Sequence, residues 1–293
     1  MTESEQQDLA VRFEQSRRRL WAVAFRMLGA SGEADEAVQE AWLRLARSDS
    51  EEIEDLPSWL TTVVARICLD MLRARKARRE EPLGPHVPDP IVSPIEGGDP
   101  EHEALVADSV GLAMLGVLET LSPEERVAFV LHDMFSVPFE QVGDLLDRSP
   151  VAARKAASRA RKRVEAEPTA PDVDLERQRE IVEAFFEASR EGDFEALVAV
   201  LHPDVVLRSD GGAVRPSANH VIRGAVEVAS RAQTFAHLGP FVRQVLVNGA
   251  PGVLVAPQGK PFSILAFTVA GGKIVAIDAL ADPERLARLE LRV

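Results

Sequence analysis

Apolar positions recur at three- and four-residue intervals through the first part of the chain and predict helices. Leu20, Val23, Ala24, Met27 and Leu28 form one stripe, which stops at Gly29 and the Ser31-Gly32 turn. Ala34, Ala37, Val38, Ala41, Trp42 and Leu45 form the next. Glu33, Asp35 and Glu36 stand in its first turn, where the helix dipole favours acids. Ser48 to Asp55 is a polar, acidic loop. A third helix opens near Pro57 and runs through SWLTTVVARICLDMLRARKARR, apolar on most sides at first and almost wholly basic at its end. From Glu80 to about Glu103 the pattern fails. Pro82, Pro85, Pro88, Pro90, Pro94 and Pro100, with Gly84, Gly97 and Gly98, exclude a helix or a central strand and predict an extended linker. Leu105 to Leu118 resumes a helical pattern. Ser122-Pro123-Glu124-Glu125 is a capping box with proline at the first helical position, and it opens a helix carrying Val127, Phe129, Val130 and Leu131.

Phe139, Val142, Leu145 and Leu146 give a further short helix its apolar stripe. Asp147-Arg148-Ser149 breaks it. Ser149 can cap the following helix, with Pro150 in its first turn. That helix carries Arg154, Lys155, Arg159, Arg161, Lys162 and Arg163 among alanines, which keep it thin. A basic second helix after a tight turn is the layout of a helix-turn-helix that enters the major groove. A solvated basic helix in a bundle would show the same charges.

A second boundary falls at Pro168-Thr169-Ala170-Pro171, and the pattern then changes from Leu175. Ile181, Val182, Phe185 and Phe186 mark one amphipathic helix, and Phe194, Leu197, Val198 and Leu201 another. Strand-like runs follow at Val205–Leu207, Val242–Val247, Gly252–Val255, Phe262–Val269 and Ile274–Ile277. Gly211-Gly212, Asn248-Gly249 and Gly271-Gly272 supply turns, and Pro283 to Leu291 a last short helix. Helices followed by an antiparallel sheet make an α+β domain.

Charge changes this picture in one respect. The net charge of -13 argues against nucleic acid, but the distribution does not. Basic residues gather at Arg73–Arg79 and Arg148–Arg163, while no Lys or Arg lies between Arg79 and Arg126. A local basic surface on an acidic chain calls for a partner that helps hold it on the duplex. The single Cys68 excludes an intrachain disulfide and a thiolate cluster, and its apolar neighbours mark a buried structural thiol. The first ten residues are polar without a hydrophobic run, and no stretch approaches the roughly 20 apolar residues that span a bilayer. A bacterial cytoplasm fits, without membrane, metal or cofactor.

The segments AFRMLGASGEADEAVQEAWLRL, LPSWLTTVVARICLDMLRARKARR and LSPEERVAFVLHDMFSVPFEQVGDLLDRSPVAARKAASRARKRV together resemble a bacterial sigma factor of the extracytoplasmic-function type. The carboxy-terminal part is similar to the SnoaL-like cone fold, found in a subgroup of these factors. GPHVPDP at Gly84–Pro90, SDGGAVRP at Ser209–Pro216 and ADPERLARL at Ala281–Leu289 resemble three motifs of that subgroup. His86 and Val87 in the first, Ala213 and Val214 in the second, and Ala281, Glu284 and Arg285 in the third depart from the usual residues.

The resemblance implies a multidomain chain: an all-α region 2 domain over 1–80, an acidic linker over 81–104, a region 4 helix-turn-helix domain over 105–167, a second linker over 168–176 and an α+β cone over 177–293. It implies core RNA polymerase and promoter DNA as partners. Asp35, Gln39, Glu40 and Trp42 would dock on the polymerase clamp. Trp42 and Trp59 also sit in apolar stripes, where tryptophan commonly serves the core. The loop Ser48–Asp55 and the start of the following helix would read and melt the minus-ten element, with Arg73, Arg75, Lys76, Arg78 and Arg79 near that duplex. Ser149, Arg154, Lys155, Ser158 and Arg159 would read the minus-thirty-five element. Arginine grips guanine bidentately whereas lysine acts as a point charge, which assigns Arg154 and Arg159 to bases and Lys155, Lys162 and Arg163 to phosphates. An acidic extended linker could occupy a positively charged polymerase channel as a nucleic-acid mimic. Asp210, Gly211 and Gly212 are expected where the extension meets the sigma domains or their linker.

Two other functions compete. A cone can house an isomerase that uses a buried base, and His202, Asp204, Asp210, His220 and His237 are candidates. The chain has no tyrosine, which removes a phenolic oxyanion donor, and the histidine spacing fits no metal site. A pocket for an unknown small ligand stays open. A stand-alone helix-turn-helix regulator is the other alternative, but it leaves the acidic linker and the Asp35–Trp42 helix without a role.

Overall fold

A computed structural model of the 293-residue chain describes residues 3–48, 53–78, 85–95, 111–166, 174–289 and 291. It falls into two compact units, one of residues 1–81 with 117–166 and one of residues 82–116 with 167–293.

The first unit is helical. α1 (Glu3–Leu28), α2 (Ser31–Leu45) and α3 (Leu56–Arg78) pack on one another where their apolar stripes meet, burying Leu20, Phe25, Met27, Leu28, Leu45, Leu60 and Leu69. Gly29 ends α1 with φ 76°, a conformation that side chains with a Cβ resist. Cys68 is buried in α3, and burial pushes its thiol pKa up, so it is structural and unreactive. A further helix, α4, covers Leu112–Glu119, and only its last turn, from Val117, belongs to this unit. α5 (Pro123–Phe129) begins at Ser122 with both halves of the capping box formed, and continues as a π-helical turn over Val130–Met134. α6 (Phe139–Leu146) and α7 (Pro150–Glu165) form the helix-turn-helix against α5.

The second unit is an α+β cone. α8 (Leu175–Glu191) and α9 (Phe194–Val200) precede a curved sheet of β1 (Val92–Ser93), β2 (Leu201–Asp210), β3 (His220–Arg223), β4 (Val242–Val247), β5 (Ala250–Val255), β6 (Ser263–Ala270) and β7 (Lys273–Leu280). Among the described residues the strand order is β1-β4-β5-β6-β7-β2-β3. α10 (Ala225–Thr234) follows β3, and α11 (Pro283–Arg288) follows β7. Asn248-Gly249 and Gly271-Gly272, all at positive φ, close the two-residue hairpins β4–β5 and β6–β7. One face of the sheet packs Leu207, Val253, Phe267 and Ile277 against Ile181, Phe185, Leu197 and Val228 of the helices.

Two features depart from the sequence reading. The sheet is not wholly antiparallel: β2 runs parallel to β7, Leu207 opposite Ile277. Parallel neighbours need a long connection, and here the chain between them builds β3, α10 and the β4–β6 meander. The proline-rich linker also contributes a strand. It is a two-residue edge strand, the position in a sheet that prolines tolerate. The remainder of that linker, the middle of the Ser48–Asp55 loop, the first residues of the helix expected from Leu105, and the boundary at Pro168–Pro171 lie outside the described residues. No helix among the described residues is long and apolar enough to cross a membrane.

Candidate functional site

The basic surface of the helical unit is built by α7. Its alanines do the packing: Ala153, Ala156, Ala157 and Ala160 are buried with Val164. That leaves Arg154, Lys155, Ser158, Arg159, Lys162 and Arg163 exposed on the opposite side. The Ser149 hydroxyl caps the helix by accepting from Ala152 N at 3.3 Å. Gly143 in α6 allows the close turn, since a Cβ there would stand 2.8 Å from the Arg148 carbonyl oxygen. The Arg154 guanidinium lies 5.1 Å from the centroid of the Phe139 ring, which fixes its stem on α6.

Behind this face sits Glu125, nearly buried in the first turn of α5. It accepts from Arg159 Nε at 2.7 Å, from Arg163 Nη1 at 3.3 Å and from the Ser122 amide at 3.3 Å. Burial alone would raise the carboxyl pKa, but Arg159, Ser122 and Arg163 outweigh it and hold the group below its ordinary value. Arg159 and Arg163 stay 61% and 54% exposed, so the ion pairs leave them facing solvent.

The other expected residues separate by burial. On α2, Asp35 and Gln39 are exposed, Glu40 pairs with Arg44 at 2.9 Å, and half-buried Trp42 packs its ring 5.1 Å from Phe13. Asp35 also accepts from Trp21 Nε1 at 2.9 Å. On α3, exposed Arg73 reaches Glu124 at 3.5 Å and Lys76 is exposed. Arg75 is half-buried, pairs with Glu33 and donates to the Leu28 carbonyl at 3.2 Å. The Arg78 side chain and Arg79 lie outside the described residues. Sequence reasoning missed Arg126. It is buried, donates to the Met27 carbonyl at 2.7 Å, and burial lowers its pKa to about 10, which leaves it a cation. Its place in the capping-box helix carries no outward signal of that contact.

In the second unit, Asp210, Gly211 and Gly212 end β2 and meet the linker. Asp210 Oδ2 accepts from Val87 N at 3.0 Å and from Arg285 Nη1 at 2.7 Å, with His86 Nδ1 at 3.3 Å; Oδ1 accepts from Gly212 N at 3.0 Å. Burial opposes ionisation here too. His86, the Val87 and Gly212 amides and Arg285 overcome it and lower the pKa to about 2. Arg285 is 12% exposed and closes the clasp with Asp89 Oδ1 at 2.7 Å from Nε and the Val87 carbonyl at 2.5 Å from Nη2. Both glycines are required by space. A Cβ at Gly211 would overlap the Arg215 carbonyl oxygen, and one at Gly212, where φ is 60°, would overlap the Asp282 carboxylate that caps α11. Further along, Asn248 accepts from Ile91 N at 2.9 Å and its own amide donates to the Ile91 carbonyl at 2.8 Å, which leads the chain into β1. Arg285 and Asn248 were seen in the sequence only as a motif departure and a turn residue.

The residues considered for catalysis are not brought together. Asp210 is spent on the clasp, His202 Nδ1 accepts from the Asp204 amide, and His237 is exposed beside the Thr234 carbonyl. Only His220 reaches the apolar cavity of the cone. Among the described residues no cluster of His, Cys, Asp and Glu could hold a metal ion.

Residues 12–78 match Sigma-70 region 2, and residues 112–164 match Sigma-70, region 4. The pair defines an RNA polymerase sigma factor. The ECF RNA polymerase sigma factor SigJ of Mycobacterium tuberculosis H37Rv is 38% identical, over 96% of this chain and 94% of its own. The probable ECF RNA polymerase sigma factor SigI of the same species is 34% identical over 90% of each. The crystal structure of M. tuberculosis SigJ superposes with a TM-score of 0.81 at 36% identity, covering 97% of this chain and 100% of that one. The chain therefore belongs to the extracytoplasmic-function sigma factors, with two all-α sigma domains and a carboxy-terminal α+β cone. Its family acts in transcription initiation through core RNA polymerase and promoter DNA and is not enzymatic.

Proposed function

We propose that the cone regulates this sigma factor by holding the linker between its two DNA-binding regions. The observation that carries this is the clasp: one largely buried arginine and one buried aspartate grip both backbone and side chains of residues 86–89, and Asn248 with β4 holds 91–93. A linker held in this way is not available to enter a polymerase channel. The acidic segment would act there only when the clasp opens. The domain limits read from the sequence stand in this proposal, with 81–104 as the regulated segment.

The exposed face of α7 supports minus-thirty-five recognition by Ser149, Arg154, Lys155, Ser158, Arg159 and Arg163. Arg73, Arg75, Lys76 and Arg78 are assigned to the minus-ten region, and Asp35, Gln39, Glu40 and Trp42 to the clamp. The cytoplasm is the place of action, and a small ligand in the cone is the signal that the fold can accommodate.

Run-off transcription with purified core polymerase tests this, using the full chain, the chain cut after Glu167, and Arg285→Met in the full chain. Specific transcripts are expected from all three, with the cut chain and R285M shifted in the same direction relative to the full chain. Activity unchanged by the cut would sink the regulatory reading. Absence of transcript together with failure to co-elute with core polymerase would turn the assignment to a stand-alone regulator.

A further inference from the structure

The cone holds a partly open cavity of about 180 Å³ between its helices and its sheet. Phe185, Phe186, Leu207, Val228, Leu265 and Ile277 make most of its wall apolar. A dry cavity of roughly 150 Å³ lined by such side chains accepts benzene, so this one has room for a ring and a short tail. What distinguishes it is the sign of its polar lining. Arg190, Arg215, Arg231 and His220 contribute to the wall, and none of the residues lining the cavity is acidic.

The three arginines are not equivalent. Arg215 donates to the carbonyls of Phe262 and Ala281, both at 3.2 Å, and lies over the Phe262 ring. Arg190 is exposed. Arg231, on α10, has its guanidinium 4.8 Å from the Phe235 centroid, and its Nε is buried without a hydrogen-bond partner. A buried donor of this kind is uncommon and calls for an acceptor. His220 cannot supply a second cation readily, because burial and the neighbouring Arg231 charge hold its pKa below the ordinary value.

We propose that this cavity is a binding site for a small apolar monocarboxylate, a single aromatic ring or short acyl chain whose carboxylate is gripped by Arg231. The Nε edge of a guanidinium matches a carboxylate in two parallel hydrogen bonds, and the mostly apolar wall offers few groups that would compete. An apolar body fills the space between α8, α10 and the sheet. A neutral hydroxyl would offer the Arg231 donor at most one weaker hydrogen bond, without charge assistance. The inference deepens the reading of the cone as a sensor domain and rests on it.

Calorimetric titration of the full-length chain with hydrocinnamate and with hydrocinnamyl alcohol separates the two levels. The acid is expected to bind one site at least tenfold more tightly than the alcohol. Arg231→Met is expected to weaken the acid about tenfold to a hundredfold, as loss of a hydrogen bond to a charged group does, and to change the alcohol by less than about fivefold. Retained alcohol binding also shows that the variant's cavity is intact. Arg231→Lys keeps the charge and loses the Nε edge, so its acid affinity should fall between; should the Met variant not fold, the Lys variant decides alone. Equal affinity for acid and alcohol, or an acid affinity indifferent to Arg231, overturns the carboxylate site while leaving a ligand cavity. Binding of neither compound overturns the site, and the transcription assay then tests the regulatory domain independently.

Discussion

Glu125 and Asp210 are near-twins in composition of their surroundings. Each is a buried carboxylate, each is held ionised against its burial, and each gathers arginine and backbone amide donors. Their partners differ in one respect. Glu125 binds Arg159 and Arg163, whose long side chains stand more than half exposed on the surface of α7. Asp210 binds Arg285, which is 12% exposed, and amides fixed by a turn and by the linker. Water can solvate the exposed α7 arginines in place of Glu125 at little cost to them. Nothing can replace Asp210 for Arg285 without unfolding the clasp. A charge network is exchangeable when its cations are exposed and structural when they are not.

The strongest attempt to break this contrast is Arg285→Met. It strands two carboxylates, and removal of one partner from a buried ion pair costs about 3–5 kcal/mol. Thermal unfolding and limited proteolysis of residues 85–95 should both report the loss, and an unshifted melt with a protected linker would refute the structural reading.

Acid makes a reversible version of the same experiment. Asp210 titrates near an ordinary aspartate value when unfolded and at about 2 when folded. Its contribution is therefore complete above about pH 4, is lost as pH falls toward 2, and amounts to about 2 kcal/mol. Denaturant titrations between pH 5 and pH 2.5 should show linker release ahead of global unfolding.

Gly211→Ala tests whether the turn or the charge holds the clasp. The added Cβ meets backbone, so a cost of about 1–3 kcal/mol is expected at unchanged charge. Smaller still is Glu125→Gln, at under about 1 kcal/mol, because its arginine partners are largely solvated. The smallest effect on stability is that of Arg163→Ala, within about 0.5 kcal/mol, although the salt dependence of promoter binding should fall by about one counterion. A large thermal shift in either of the last two would erase the distinction between the sites.

How far the sequence could be read follows the range of the interactions. The capping box at Ser122, the cap at Ser149 and the hairpin turns at Asn248 and Gly271 are closed by residues within a few positions of one another, and each was visible as a local pattern. The Asp-Gly-Gly stretch was also visible, but only as a motif. Its steric reason, Arg215 on one side and Asp282 on the other, depends on packing. Arg285 finds Asp89 across 196 positions, and Arg126 finds Met27 across 99. No periodicity records such pairs. β3 and α10 were missed because His220–Arg223 is too short to show alternation and Ala225–Thr234 follows it with few large apolar residues.

The strand that the linker lends to the sheet has a consequence for the timing of synthesis. Val92 pairs with Val247, and Val87 waits for Arg285, 198 residues later. At about 5–20 residues per second, the ribosome needs on the order of 10–40 s to make the second half of that clasp after the first has been translated. Each newly made molecule therefore passes through an interval in which both sigma regions have been made and the clasp on the linker has not.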